Sequence, residues 1–187
     1  PFAQKELMQK MESRIVRPTL SGLREEGMLY RGFLFFGLME VKGNPYVIEY
    51  NVRLGDPETQ VILPRIDTDM GLLLKAAATR GLKDQILKVN PHFAVGVVLA
   101  SGGYPGEYLT GFEISHDDSL PGVQHFYAGA KREHDRLITA GGRVMTITAM
   151  APGLSAAIQL ASKAVRQTDF RGKYFRRDIG KDLLTVS

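Results

Sequence analysis

The sequence predicts an α+β chain in two parts: a segment of helices and a β-hairpin to about Asn90, and a small β-rich domain with one helix over 91–187. Three observations lead there. Apolar residues between Lys5 and Glu26 recur mostly at three- and four-residue steps, the pattern of an amphipathic helix. Gly32–Val41 and Pro45–Tyr50 are strand-like runs on either side of a Lys-Gly-Asn turn. From His92 onward, short apolar runs alternate with glycine-rich turns before a single helical period.

Taken in order, the first helix carries Leu7, Met8, Met11, Ile15, Val16, Leu20 and Leu23 on its apolar stripe. Pro18 is expected to kink or split it near Arg17, and Gly27 to end it. Gly32–Val41 is nearly continuous apolar sequence and reads as a strand buried on both faces. Gly37 inside it marks a bulge or a close approach. After the hairpin, Asp56 as N-cap, Pro57 at the first helical position and Glu58 in the first turn predict a helix over Thr59–Leu63. Asp67 or Asp69 caps a further helix from about Met70 to Arg80, closed by Gly81. The polar run Gly81–Pro91 then reads as a boundary.

In the second part, Phe93–Ala100 reads as a strand and Ser101–Gly106 as a turn-rich loop. Shorter strands are expected near Gly122–Gly129, Arg136–Thr139 and Arg143–Met150. Leu154–Arg166 reads as an amphipathic helix with Ser155 near its cap.

Composition narrows the function. The net charge is +4, and no run of basic residues or basic–aromatic stripe accompanies it. That balance suits small anionic substrates rather than a nucleic-acid backbone. The absence of cysteine removes disulfides, thiolate metal sites and cysteine nucleophiles, and fits a reducing, cytoplasmic setting. No apolar stretch is long enough to span a membrane. There is no Walker-type or dinucleotide phosphate loop, and no nucleophile elbow. Gly102-Gly103 and Gly141-Gly142 read as turns rather than phosphate cradles. The four histidines, His92, His116, His125 and His134, are scattered without metal-ligand spacing.

The chemistry concentrates in Glu49–Gln60. On a strand, Glu49, Asn51 and Arg53 share one face, and Tyr50 and Val52 share the other, which suits a core. Carboxylate and amide oxygens are hard ligands of the kind Mg²⁺ takes together with phosphate oxygens. Arg53 carries a fork of donors suited to phosphate or carboxylate. A solvated edge strand produces the same spacing, and spacing alone does not choose between the two. Leu38 or Met39, on the neighbouring strand, could floor a nucleotide pocket, and ordinary core packing is the plainer reading of both.

These residues carry a resemblance. Gly37-Leu-Met39, Val47-Ile-Glu-Tyr-Asn-Val-Arg53 and Leu54-Gly-Asp-Pro-Glu-Thr-Gln60 closely resemble the phosphoribosylamine–glycine ligase family of ATP-grasp enzymes. The likeness continues, in the family's order, through Ala100–Gly106, Phe126-Tyr-Ala-Gly129, Gly141-Gly-Arg-Val144 and Arg177-Asp-Ile-Gly180. It implies the second half of an ATP-grasp core over 1–90, a β-hairpin with helices, followed by the small C-terminal domain over 91–187. It implies ATP-dependent joining of glycine to 5-phosphoribosylamine through glycyl phosphate, in purine biosynthesis. It makes Glu49 and Asn51 the ligands of Mg²⁺ or Mn²⁺, sets Arg53 against the transferred phosphate, and gives Asp56, Pro57 and Glu58 to the substrate pocket. Asp56 joins Arg53 as a catalytic candidate, and Leu38 and Met39 lie on the nucleotide side. Glu40 is an acid near the place of a further metal carboxylate, and its register does not support including it.

The family's N-terminal substrate domain and nucleotide-gripping lid have no counterpart in this sequence, so the chain reads as a C-terminal portion that is inactive alone. Two other classes compete. One is a non-catalytic nucleotide- or metal-binding module that kept the motif. The other is a biotin- or lipoyl-type carrier domain, for which Lys131 lacks the expected flanking residues.

Overall fold

The computed structural model describes residues 3–184 of the chain. Its contacts divide into two compact units, residues 3–55 with 68–88, and residues 56–67 with 89–184. Residues 56–67 therefore group with the second unit, although they precede the polar boundary expected near residue 90.

In the first unit, helix α1 (Lys5–Met11) runs through a π-helical turn, Glu12–Val16, into α2 (Arg17–Glu25). Pro18 does not split the helix. It falls in the first turn of α2, where a missing N–H leaves no bond broken, and the wider π turn upstream absorbs the irregularity. Gly27 ends the helix as expected, at φ +69. Its N–H donates to Arg24 O at 3.0 Å and Met28 N–H to Leu23 O at 2.8 Å, the paired bonds of a Schellman motif.

Strands β1 (Phe35–Val41) and β2 (Asn44–Asn51) form the hairpin. Lys42 and Gly43 turn it with φ of +50 and +76, the doubly positive geometry that matches strand twist. The register slips between Gly37 and Leu38, so the bulge expected at Gly37 is present. The burial expected of β1 is not. Met39 is 53% exposed, and on β2 Ile48 is 62% and Tyr50 52% exposed. The hairpin is a two-stranded sheet, and two strands cannot cover both faces of one another. Val52, assigned to a core face, lies past the end of β2 and is 69% exposed. The helical stretch ties to the hairpin through Lys10 Nζ donating to Gly43 O at 2.8 Å and Arg14 to Asn44 Oδ1 at 2.9 Å.

Helix α3 (Thr59–Ile62) is short and belongs to the second unit. Its N-cap is Glu58, which makes no side-chain cap bond, so the capping roles expected of Asp56 and Pro57 do not hold. The Asp56 carboxylate is engaged laterally instead, as described below. Helix α4 (Met70–Ala78), in the first unit, is capped by Asp69, whose carboxylate accepts the Leu72 N–H at 2.9 Å. Arg80, at φ +64, makes the left-handed turn that ends it, and the expected closing residue Gly81 donates to Ala76 O at 2.8 Å.

The second unit is built on an antiparallel sheet in the order β4-β7-β3-β8, from β3 (Phe93–Ser101), β4 (Val123–Tyr127), β7 (Arg143–Ala151) and β8 (Lys173–Tyr174). A separate hairpin joins β5 (Ala130–Glu133) to β6 (Arg136–Thr139). β5 reads as Ala-Lys-Arg-Glu and carries no apolar alternation, so sequence patterning passes over it. The two residues of β8 are too few to show a period. Helix α5 (Leu154–Gln167) packs Ala157, Ile158, Ala161, Ala164 and Val165 against a core containing Val95, Val97, Leu99 and Ile147. Gly153 precedes it without a capping side chain, and Ser155 instead accepts from Gln159 Nε2 at 3.4 Å.

On the opposite face of the sheet, α3 approaches so closely that a Cβ on Gly96 would stand 2.8 Å from Val61 Cγ1. Thr148 Oγ1 donates to Gln60 O at 2.9 Å on that side. Sheet strands β3 and β7 thus lie between α5 and α3; β3 accordingly reads as a nearly continuous apolar run, and β7 carries buried Thr146 and Thr148 among its apolar residues. Leu99 is fully buried in this core. Leu99→Ala is expected to destabilise the chain by about 2–5 kcal/mol in urea unfolding, whereas Ile48→Ala on the open hairpin changes it by less than about 0.5 kcal/mol.

Candidate functional site

The hairpin presents the sequence-predicted metal pair. Glu49 pairs with Gly37 across the ladder, and a Cβ at Gly37 would lie 2.7 Å from Glu49 Cγ. The glycine therefore gives Glu49 room to lie across β1, which explains the bulge and the close approach together. Asn51 Nδ2 donates to Glu49 Oε1 at 3.0 Å, so the two side chains stand together on one face, with Glu49 open to solvent. Arg53 lies beyond the end of β2, where strand alternation no longer applies; it is exposed and donates to Leu54 O at 3.0 Å. Leu38 and Met39 pair with Val47 and Tyr46 on the same hairpin, Leu38 half-buried and Met39 exposed. The Glu40 carboxylate accepts the Gly43 N–H at the turn.

Asp56, Pro57 and Glu58 belong to the second unit. Asp56 Oδ2 meets Arg143 at 2.6 Å, its backbone oxygen accepts from the same guanidinium at 3.1 Å, and Oδ1 accepts from Gln60 Nε2 at 3.0 Å. Two bonds fix this carboxylate and a third holds the Asp56 backbone oxygen, and together they set the turn that leads into α3. Pro57 and Glu58 line a cleft of about 270 Å³ with Val61, Gly96, Leu154 and Gly180. Arg143 was not singled out from the sequence as a site residue, although it stands inside the Gly-Gly-Arg-Val motif that carries part of the resemblance.

The glycine-rich motifs are backbone junctions. Gly129 and Gly141 cross so tightly that a Cβ on Gly129 would come within 2.7 Å of Gly141 Cα. A Cβ on Gly142 would lie 2.2 Å from the Tyr104 ring, so the Gly-Gly-Tyr-Pro-Gly loop seats its tyrosine on that glycine.

Two of the histidines come together in the fold. His116 and His125, scattered in the sequence, stack in the fold with centroids 4.9 Å apart. Asp118 Oδ1 lies 3.1 Å from His116 Nδ1 and 3.0 Å from His125 Nδ1, which makes the three a set able to hold a metal ion. Burial, followed by the neighbouring His116, holds the His125 imidazole below its ordinary pKa. Burial also pushes the Tyr127 phenol up. No spacing rule could find this group, because its members come from a loop and a separate strand.

Residues 1–59 are of the ATP-grasp class. The biotin carboxylase domain of 2-oxoglutarate carboxylase from Hydrogenobacter thermophilus superposes with a TM-score of 0.59 at 17% identity, covering 88% of this chain and 37% of that one, a likeness of fold alone. Sequence carries it further. Residues 1–59 match the family model of the phosphoribosylglycinamide synthetase ATP-grasp (A) domain, and residues 94–182 that of the phosphoribosylglycinamide synthetase C domain. The chain belongs to the phosphoribosylglycinamide synthetase family. It is 44% identical to phosphoribosylamine–glycine ligase of Chlorobaculum tepidum, over 98% of this chain and 44% of that protein. The crystal structure of phosphoribosylamine–glycine ligase from Thermotoga maritima superposes with a TM-score of 0.82 at 37% identity, covering 94% of this chain and 44% of that one. The chain thus spans less than half the length of these relatives.

The Asp56–Arg143 pair is half-exposed on both sides. A double-mutant cycle of Asp56→Ala and Arg143→Ala in urea unfolding is expected to give a coupling of about 0.2–1 kcal/mol. Strict additivity of the two single changes would show that the pair contributes nothing to the turn.

Proposed function

We propose that the chain carries the metal-binding strand and the C-terminal domain of an ATP-dependent ligase that joins glycine to 5-phosphoribosylamine, giving glycinamide ribonucleotide in purine biosynthesis. The observation that carries this reading is the Glu49–Asn51 pair, two oxygen-bearing side chains 3.0 Å apart on one strand face. Family membership and the relatives' names support it. ATP is the co-substrate, and the remaining part of the enzyme, with its nucleotide-gripping residues, is the partner this chain requires. The same reading divides the chain functionally into an ATP-grasp half over 1–90 and a C-terminal domain over 91–187; the two family models match residues 1–59 and 94–182. It places the enzyme in the cytoplasm; among the described residues no helix is long and apolar enough to cross a membrane.

The donor set fits a hard divalent cation. A solvent-open carboxylate beside an amide suits Mg²⁺ or Mn²⁺, which take oxygen ligands and keep several waters. When bound, that ion would supply neutralisation of phosphoryl charge. Glu49 and Asn51 would hold it, and Gly37 gives Glu49 the room to do so. Arg53, exposed beyond the strand, offers its fork of donors to the transferred phosphate. Asp56, Pro57 and Glu58 shape the substrate pocket, with Asp56 held in place by Arg143. Leu38 and Met39 lie on the adenine side, where the exposed apolar hairpin has surface to offer.

The chemistry asked of these groups is placement and charge balance. Glycine's carboxylate oxygen takes the terminal phosphoryl group and ADP leaves. The amine of phosphoribosylamine then attacks the acyl carbon, phosphate departs with the acyl oxygen, and the amine loses a proton.

Two measurements test the proposal. In the full-length enzyme Glu49→Gln is expected to lower ATP-dependent glycinamide ribonucleotide formation by about 10²–10³-fold, with folding intact by circular dichroism. Undiminished turnover would reduce this hairpin to a non-catalytic binding module. The 187-residue chain alone is expected to form no product.

A further inference from the structure

Away from the hairpin, the second unit assembles a group that the ligase reading does not use. Ser115 bridges Asp169 through reciprocal backbone bonds of 2.9 and 2.7 Å, which fixes the chain just before His116. His125 sits in the middle of β4, paired with the fully buried Ile147. Asp117 accepts the Ser119 N–H at 2.8 Å and shapes the loop that presents Asp118. Both imidazoles are thus held by ordered backbone, with side chains 13% and 6% exposed, while Asp118 reaches in from solvent at 70%.

The distances suit coordination. A tetrahedral ion with bonds of about 2.0–2.1 Å sets its ligand atoms about 3.3 Å apart. The Nδ1–Oδ1 separations here are 3.1 and 3.0 Å, and one ligand atom from each of the three residues lies within 4.8 Å of the others. A plain hydrogen-bonded network is the competing explanation, and it leaves two buried ring nitrogens without a hydrogen bond, His116 Nδ1 and His125 Nε2. His116 Nδ1 stands 3.1 Å from Asp118 Oδ1 without completing a hydrogen bond, so the two atoms are free to share an ion. The opposite ring nitrogen, Nε2, is satisfied by Tyr127 Oη at 2.7 Å. That contact orients the ring and leaves Nδ1 as the ligating atom, the usual outer partnership of a metal-bound histidine.

We propose that His116 Nδ1, Asp118 Oδ1 and His125 Nδ1 form a site for one divalent transition-metal ion of the zinc type. Two imidazoles and one carboxylate favour such an ion over Mg²⁺. The ion would clip the loop of residues 115–119 to β4. His116, Asp118 and Tyr127 also line a cavity of about 430 Å³, which gives the ion an entry path and leaves its remaining position to water or another small ligand.

Titration of the chelator-treated 187-residue chain with Co²⁺ tests this. Saturable visible absorption of a low-coordinate Co²⁺ site, at one ion per chain and displaced by Zn²⁺, is expected, with no such displacement by Mg²⁺. Asp118→Ala, at a side chain 70% exposed, should remove the absorption while the circular dichroism spectrum stays unchanged. Tyr127→Phe should weaken binding about 10–100-fold. His92→Ala and His134→Ala should leave it unchanged. Absence of a saturable signal would overturn the proposal, as would equal binding by Asp118→Ala, which would mark the ion as adventitious. His116→Asn gives a second reading if it folds, and Asp118→Ala decides the matter if it does not.

Discussion

The pairing of β3 with β7 is the constraint on which the second unit depends. Both strands run through the middle of the sheet, and most of their side chains are buried. A strand of this kind needs cover on both sides, since neither face can be left to water without losing apolar burial. α5 covers one face with small residues, Ala157, Ala161 and Ala164, that let the helix lie close. The short α3 covers the other, at Gly96, where no larger residue would leave room for Val61. The sequence segment that follows the hairpin is therefore drawn into the core of the second unit.

That demand positions chemistry. Arg143 begins β7, so the central strand delivers a guanidinium to Asp56, and the Asp56 turn is held by the same sheet that α3 completes. β4, on the other side of β7, carries His125 and Tyr127, and the loop before it carries His116 and Asp118. Packing of the sheet and placement of both polar groups are thus one arrangement. The hairpin of the first unit is organised differently. Its geometry rests on the absence of a side chain at Gly37, and its apolar residues remain exposed because two strands supply no second layer. The hairpin thus presents an apolar, solvent-open surface that bears a carboxylate–amide pair.

Much of the fold was legible in the residues. The periods of α2, α4 and α5, the alternation and turns of the hairpin, the apolar run of β3 and the β-branched, apolar stretch of β7 follow from local patterning, which depends only on neighbouring side chains. The caps at Asp69 and Gly27 were legible because capping is chemistry within a few residues. Asp56 was misread as a cap because an acid before Pro-Glu has the same local pattern whether it turns to its own helix or to a distant arginine. Arg143 decided between them, and it lies far along the chain. β5 was missed because Ala-Lys-Arg-Glu owes its strand to pairing with β6 and not to its own propensity.

By itself the sequence determined the α+β class, the strand that places Glu49 and Asn51 side by side, and the motif order that marks the family. All of these are set by residues close together in the chain. Tertiary structure alone decided that Asp56 binds Arg143, that α3 packs beneath the sheet, and that His116, Asp118 and His125 converge. These contacts join segments whose separation in sequence carries no periodic signal, so only the burial of a common core brings them together.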